Sequence, residues 1–241
     1  MAILTTPDHA APGRVAQTPI LEPLVPRTLV DQVADAIVRA AAEGRILPGD
    51  RVIEADLARQ LRVSRVPVRE ALRMLESQGI VVNTPYRGMR LMEVSTARLR
   101  DILKVRLELE RLAVREVLAL PDRSILLRDL DVLCRRMAEA AARGDGYDIA
   151  WLDTDFHRTL CRAAGNETLL RLFEPLARQL TIIFGLSALQ RDLDGVVAEH
   201  TELRDALIRG DEAELMKLLK WHVFDYCEEL DLVSFIAQRR S

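Results

Sequence analysis

The stretch Ser64-Arg65-Val66-Pro67-Val68-Arg69-Glu70-Ala71-Leu72-Arg73-Met74-Leu75 decides the reading of this chain, because it joins an apolar stripe to a cluster of arginines. Val68, Ala71, Leu72 and Leu75 recur at three- and four-residue steps, the spacing of one buried helix face, while Arg65, Arg69 and Arg73 fall four apart on another. Such a helix can offer its first turns to the major groove of DNA, where a guanidinium hydrogen-bonds guanine O6 and N7 in a bidentate way. Ser64 stands at the N-cap position, and Pro67 falls in the first turn, where a missing N–H removes no intrahelical hydrogen bond.

Working outward, Glu54 to Leu61 reads as a short amphipathic helix with Leu57 and Leu61 inward, and Arg62-Val63-Ser64 as the tight turn between the two helices. After Gly79, Ile80-Val81-Val82 and Met89-Arg90-Leu91 read as two short strands joined by Asn83-Thr84-Pro85-Tyr86-Arg87-Gly88. The whole is a helix-turn-helix followed by a winged hairpin. Gly88, beside Arg87, permits close approach of the backbone to phosphate or to the minor groove. Alone, an arginine-rich amphipathic helix is more often a solvated face than a DNA reader, so the order and spacing of the flanking residues carry the argument.

On those residues, positions 27–92 resemble the winged helix-turn-helix of the GntR family of bacterial transcription regulators. The run Arg45-Ile46-Leu47-Pro48-Gly49-Asp50, the helix Glu54 to Leu61, the segment Val63 to Leu72, and then Gly79 and Gly88 follow the family's order and spacing. Ala55 departs from members that carry an arginine in the helix before the turn, so that DNA contact is not carried over.

Composition fits a two-domain regulator. At 241 residues the chain can hold a ~65-residue reader and a larger domain. The net charge of −3 divides unevenly: from Gly44 to Arg90 there are nine arginines and five acids, net +4, which leaves −7 elsewhere. Positive potential is thereby concentrated where phosphate would bind. Cys134, Cys161 and Cys227 are widely spaced, without metal-ligand pairing, and read as reduced thiols. Residues 1–26 carry five prolines and no basic-then-apolar pattern, which predicts a disordered tail and no signal peptide. No apolar run approaches the ~20 residues that cross a bilayer, and the expected location is the cytoplasm.

Residues 93–238 read as helices only. Ser95 caps a helix to about Leu118, Leu120-Pro121-Asp122 breaks the pattern, and helices follow at about 122–143, 146–164, 167–189, 192–208 and 212–237. Gly165 and Gly210 suit helix ends, Asn166 and Asp211 suit N-caps, and Pro175 should bend its helix. The fold class is mainly α, with a winged helix-turn-helix followed by a six-helix antiparallel bundle.

Three of the four histidines, His157, His200 and His222, fall on or beside apolar helix faces of this bundle. His200 sits among Leu193, Val196, Val197, Leu203 and Leu207, and His222 among Leu215, Leu218, Leu219 and Tyr226. Asp153, one turn before His157, lies beside it on the margin of the same face. Across an antiparallel hairpin at Gly210, His200 and His222 stand ~15 and ~18 Å from the turn, nearly level. Three imidazoles and a carboxylate converging on one cavity suit Zn²⁺, Ni²⁺ or Mn²⁺, zinc being the leading assignment; buried histidines bonded to their neighbours are the alternative.

Asp153-x-x-Phe156-His157, Gly165-Asn166, His200 and His222 together resemble the helical ligand-sensing domain, called FCD, of the FadR subfamily of GntR regulators. The resemblance implies that the Asp and three His bind a metal that helps hold a small carboxylate effector. Arg106, in the middle of an apolar face, needs an anion: an effector carboxylate, as the resemblance implies, or Glu110 one turn on. Asn166 is explained by its capping role.

These readings predict a dimeric transcription regulator, a repressor, that binds a palindromic operator and answers a small carboxylic acid. Arg65 and Arg69 are the expected base contacts. Ser64, Val66, Pro67, Arg87 and Gly88 complete the DNA surface, and Arg73 serves either role. A metal-dependent enzyme and an architectural DNA-binding protein are the competing classes. Against the enzyme stands the lack, in the pocket pattern, of a further carboxylate or histidine to act as general base.

Overall fold

The computed structural model describes residues 28–86, 88–188, 192–225, 234, 236 and 237. The tail at 1–26, Arg87, Cys227 and most of the helix expected beyond Asp225 lie outside the described residues.

A helix not singled out from the sequence comes first: α1 (Leu29–Ala42), opened by a reciprocal capping box in which Thr28 accepts from the Asp31 N–H and Asp31 accepts from Thr28. Its stripe Val33, Ala34, Ile37, Val38 and Ala41 is buried. Next come α2 (Glu54–Leu61) and α3 (Arg65–Ser77), and Val68, Ala71, Leu72 and Leu75 form the inward face of α3 as their spacing predicts. The turn between α2 and α3 is made by Arg62 in the left-handed conformation, φ 56° and ψ 41°. Leu57 and Leu61 are half-buried, and Ala58 is the fully buried residue of α2.

The wing is a two-stranded antiparallel hairpin of β1 (Val81–Thr84) and β2 (Gly88–Leu91), with Val81 opposite Leu91 and Thr84 opposite Gly88. β1 thus runs two residues further than the apolar pattern suggests. Asn83 and Thr84 pair through their backbones, which side-chain polarity does not forbid. Arg90 of β2 turns back, donating to the Gly49 carbonyl at 2.6 Å, and so anchors the wing.

Six helices follow: α4 (Thr96–Leu118), α5 (Ser124–Ala142), α6 (Gly146–Ala163), α7 (Glu167–Ala188), α8 (Leu193–Arg209) and α9 (Glu212–Lys220). Their starts use the expected caps: Ser95 accepts from Arg98, Asn166 from Leu169 and Asp211 from Glu214. Gly210 ends α8 at φ 72°. The continuous helix expected from 212 is not uniform, because α9 passes at Trp221–Asp225 into a π-helical turn that contains His222. Such a turn inserts a residue and rotates the side chains after it, which the 3.6-residue period cannot anticipate.

Two apolar cores result. One lies inside the bundle around Met137, Phe156, Leu160 and Phe173. The other is shared: Ile37, Leu72, Leu75 and Ile80 of the reader pack with Leu99, Leu103, Leu180 and Ile183 of α4 and α7. Polar links close the same seam. Gln179 Nε2 donates to the Gln78 carbonyl at 2.8 Å, Arg178 to Gln78 Oε1 at 3.1 Å, and Arg98 to the Gly79 carbonyl at 3.2 Å. The C-terminal end of α3 is therefore held directly by α7.

Candidate functional site

α6, α8 and the π turn bring together Asp153, His157, His200 and His222, all buried, with one donor atom from each lying within 4.8 Å of the others. The companion of His157 differs from expectation. Glu110 of α4 places Oε2 2.7 Å from His157 Nδ1, while Asp153 Oδ1 faces His200 Nε2 at 3.2 Å and His222 Nε2 at 3.9 Å.

Hydrogen-bond polarity sets the direction of each ring. His200 Nδ1 lies 2.8 Å from the Val196 carbonyl, which can only accept, so that nitrogen carries the proton. His222 stands in the same relation to Glu199 Oε2 at 2.8 Å, whereas His157 Nδ1 lies 2.7 Å from Glu110 Oε2 as an ion-pair contact that lacks hydrogen-bond geometry. In neutral rings that carry their proton on Nδ1, the Nε2 atoms present lone pairs. Two of them face each other, His157 Nε2 and His222 Nε2, at 3.0 Å. Asp153 Oδ2, His200 Nε2, His157 Nδ1 and Glu110 Oε2 are buried and make no hydrogen bond with the described residues.

Lone pairs and a carboxylate turned on one another need a positive centre, either a proton or a metal cation. The proton is disfavoured: burial, reinforced by the other histidines, pushes His222 down to about 4 against the pull of Glu199, and burial likewise lowers His157. Burial by itself would raise Asp153, but His200 and Arg106 outweigh it and hold the carboxyl well below its usual range. The donor set of three imidazole nitrogens and one carboxylate oxygen suits zinc and its neighbours. Donors on a tetrahedral zinc ~2.0–2.1 Å away stand about 3.4 Å apart. The contacts of 3.0, 3.2 and 3.9 Å bracket that spacing. The residues fit a metal.

Arg106 lies against this cluster with 1% of its surface exposed, and its Nε donates to Glu110 Oε1 at 2.5 Å. Burial would raise Glu110, yet Arg106 and His157 together bring it down to about 2. The intrahelical partner foreseen for Arg106 is thus present. The expectation that no further carboxylate enters the pocket is corrected: Glu110 and Glu199 both do, although they grip the outer nitrogens of the rings. Glu110 could be found from its i,i+4 spacing to Arg106, whereas Glu199, flanking His200 on the less apolar side of α8, carried no such signal.

On the reader, Ser64 is exposed at the N-cap position of α3 and makes no side-chain capping bond. Arg65 is exposed, Val66 is 66% exposed, and Pro67 is half-buried behind them. Arg69 is held in a bidentate pair with Glu54 at 2.9 and 3.0 Å, and Arg73 bonds Glu70 at 3.0 Å. Gly88 has φ 75°, which a side chain would strain. Arg65, Arg69 and Arg73, four residues apart on α3, share one exposed face of that helix. No helix is long and apolar enough to cross a membrane among the described residues.

A winged helix-turn-helix packed on a six-helix domain with a buried Asp/three-His cluster defines the class as a DNA-binding regulator with a second, helical domain. Residues 29–91 match the family described as bacterial regulatory proteins, gntR family, and residues 101–225 match the FCD domain. The chain belongs to the GntR family of transcriptional regulators, with an FCD domain as in the FadR subfamily, and is not an enzyme. It is 33% identical, over 83% of its length and 87% of the relative's, to the "Probable D-xylose utilization operon transcriptional repressor" of Paenarthrobacter nicotinovorans. It is 28% identical, over 76% of its length and 85% of the relative's, to the "Nta operon transcriptional regulator" of Aminobacter aminovorans. The solved structure of Escherichia coli McbR/YncC shares its fold, with a TM-score of 0.71 and 22% identity over 89% of this chain and 99% of that one.

Proposed function

We propose that this protein is a homodimeric regulator, acting as a repressor in the cytoplasm, that reads a palindromic operator through residues 27–92. Residues 93–238 bind a metal ion and a small carboxylic-acid effector. The observation that carries the sensing role is the set of donors turned on one another: three Nε2 atoms and the Asp153 carboxylate, buried together. Asp153, His157, His200 and His222 hold the metal, with zinc the leading assignment and nickel or manganese the alternatives. The bound metal supplies a Lewis acid to which an effector carboxylate can attach. Arg106, beside the cluster, is the side chain to pair with the effector's charge, exchanging or sharing its bond to Glu110. Repression is favoured by the likeness to the Paenarthrobacter relative, named as a transcriptional repressor.

Arg65 and Arg69 make the base contacts, with Val66 placed for a thymine methyl and Ser64, Pro67, Arg73, Arg87 and Gly88 fixing the backbone. Arg69 keeps its pair with Glu54, which aims its fork, or gives it up to guanine. The route between sites is contiguous. Thr154, next to Asp153, is bonded by Thr181 of α7 at 3.1 Å, and α7 holds the end of α3 through Arg178 and Gln179. An effector that favours one packing of this seam changes the spacing of the two recognition helices in the dimer.

The test is metal analysis of the purified protein, alongside DNA binding measured with a panel of small carboxylic acids. About one metal per chain and an acid that shifts DNA affinity support the reading. Absence of metal after reconstitution with zinc, nickel and manganese overturns the site, and DNA affinity indifferent to every acid overturns the sensing role.

A further inference from the structure

We infer that Glu110 and Glu199 are positioning residues, which hold His157 and His222 as Nδ1–H tautomers and so turn both unprotonated Nε2 atoms toward the metal. The inference rests on the metal reading proposed above. A carboxylate only accepts hydrogen bonds; Glu199 is bonded to His222 Nδ1 at 2.8 Å, and Glu110 faces His157 Nδ1 at 2.7 Å, a contact that a small rotation of the ring would turn into the same bond. A solvated histidine side chain favours the opposite tautomer, with the proton on Nε2, which cannot ligate through that atom. His200 receives the same service from the Val196 carbonyl at 2.8 Å, an acceptor that no side-chain substitution removes. The two carboxylates are therefore the adjustable parts of the arrangement.

The two are not equivalent. Glu110 is fully buried on α4 and divides its oxygens between His157 and Arg106, so its charge is balanced by the guanidinium. It thereby couples a metal-ligating ring to the arginine nearest the cluster: a shift of the Arg106 guanidinium moves the same carboxylate that aims His157. Glu199 lies on α8 at the rim, with 14% of its side chain exposed, and bonds a ring carried by the π turn. Groups in this position orient the ligating ring and raise its basicity, and their loss lowers metal affinity by roughly 10–100-fold.

The experiment uses the full-length chain stripped of metal, with zinc as the probe. Zinc affinity is measured by chelator competition, and the histidine tautomers are read from ¹⁵N–¹H correlation spectra of the metal-free protein. Wild type is expected to show Nδ1–H tautomers at His157 and His222. Glu199→Ala should populate Nε2–H at His222 and weaken zinc about 10–100-fold, and Glu199→Gln, which keeps an acceptor, should recover part of both. Zinc affinity within twofold of wild type in Glu199→Ala, or a wild-type Nε2–H tautomer at His222, overturns the role of Glu199. Glu110→Gln is read in the same way at His157, and if that variant fails to fold, the wild-type tautomer of His157 decides for Glu110. Nδ1–H tautomers in a wild-type protein that takes up no zinc, nickel or manganese would sink the metal reading and leave the tautomer assignment standing.

Discussion

Gly185 of α7 sits against the C-terminal end of α1, and Gly185→Ala tests whether this close approach holds the helix-turn-helix domain on the helical domain. A Cβ at Gly185 would lie 2.6 Å from the Ala42 Cβ, 2.8 Å from the Ala42 carbonyl oxygen and 3.0 Å from the Ala42 Cα. Carbon atoms in contact stand ~3.5–4.0 Å apart, so the two helices must part by about 1 Å. The backbone of Ala42 cannot swing aside as a long side chain could. Parting by that amount would carry the links from Gln179 and Arg178 to Gln78, now 2.8 and 3.1 Å, beyond bonding distance. Crowding of this kind costs ~1–3 kcal/mol. Each lost hydrogen bond adds about 1 kcal/mol. Replacing a helical glycine by alanine returns about 1 kcal/mol through helix propensity. The net is a destabilisation of about 2–4 kcal/mol, and at ~2–4 °C per kcal/mol for a chain of this size the melting temperature should fall about 4–16 °C. Thermal melts of wild type, Gly185→Ala, Ala42→Gly and the double variant measure it. The double variant should be less destabilised than the sum of the singles, since Ala42→Gly removes the nearest clashing atom. A melting temperature that rises in Gly185→Ala, as propensity alone would give, refutes the crowding argument.

Chelation of a metal-loaded sample should lower the melting temperature, because a ligand at 100–1,000 times its dissociation constant stabilises by about 3–4 kcal/mol; Asp153→Ala should abolish that shift, and an unchanged one would show that the four residues do not bind the metal. Metal-free protein should lose stability as pH falls from about 6.5 toward 4. His222, pushed down to about 4, stays neutral in the fold while the unfolded chain takes up a proton. Urea melts at pH 7.5, 6 and 5 check the slope, and a stability flat or rising over that window contradicts it. Arg65→Ala should cost roughly 1–3 kcal/mol of discrimination at one operator base pair. Equal weakening on all sequences in a binding-site selection would move Arg65 from base contact to phosphate contact.

The helix-turn-helix and the wing were legible because their signals are local. Val68, Ala71, Leu72 and Leu75 keep the helical period, Ser95, Asn166 and Asp211 cap where short polar side chains must, and Gly210 ends a helix where φ turns positive. The four candidate ligands were legible for the same reason, as polar residues on or beside apolar faces. What each ring touches was not, since that depends on which helix lies opposite. Glu110 reaches His157 across 47 positions of sequence and Glu199 reaches His222 across 23, distances over which periodicity carries no information. The π turn at His222 and the seam between α1, α3 and α7 belong to the same category. The alternation of apolar and polar residues determines which face of a helix is buried. Only packing decides what stands on the other side, because close contact between two faces depends on side-chain volumes and backbone approach from distant segments, as at Gly185 and Ala42.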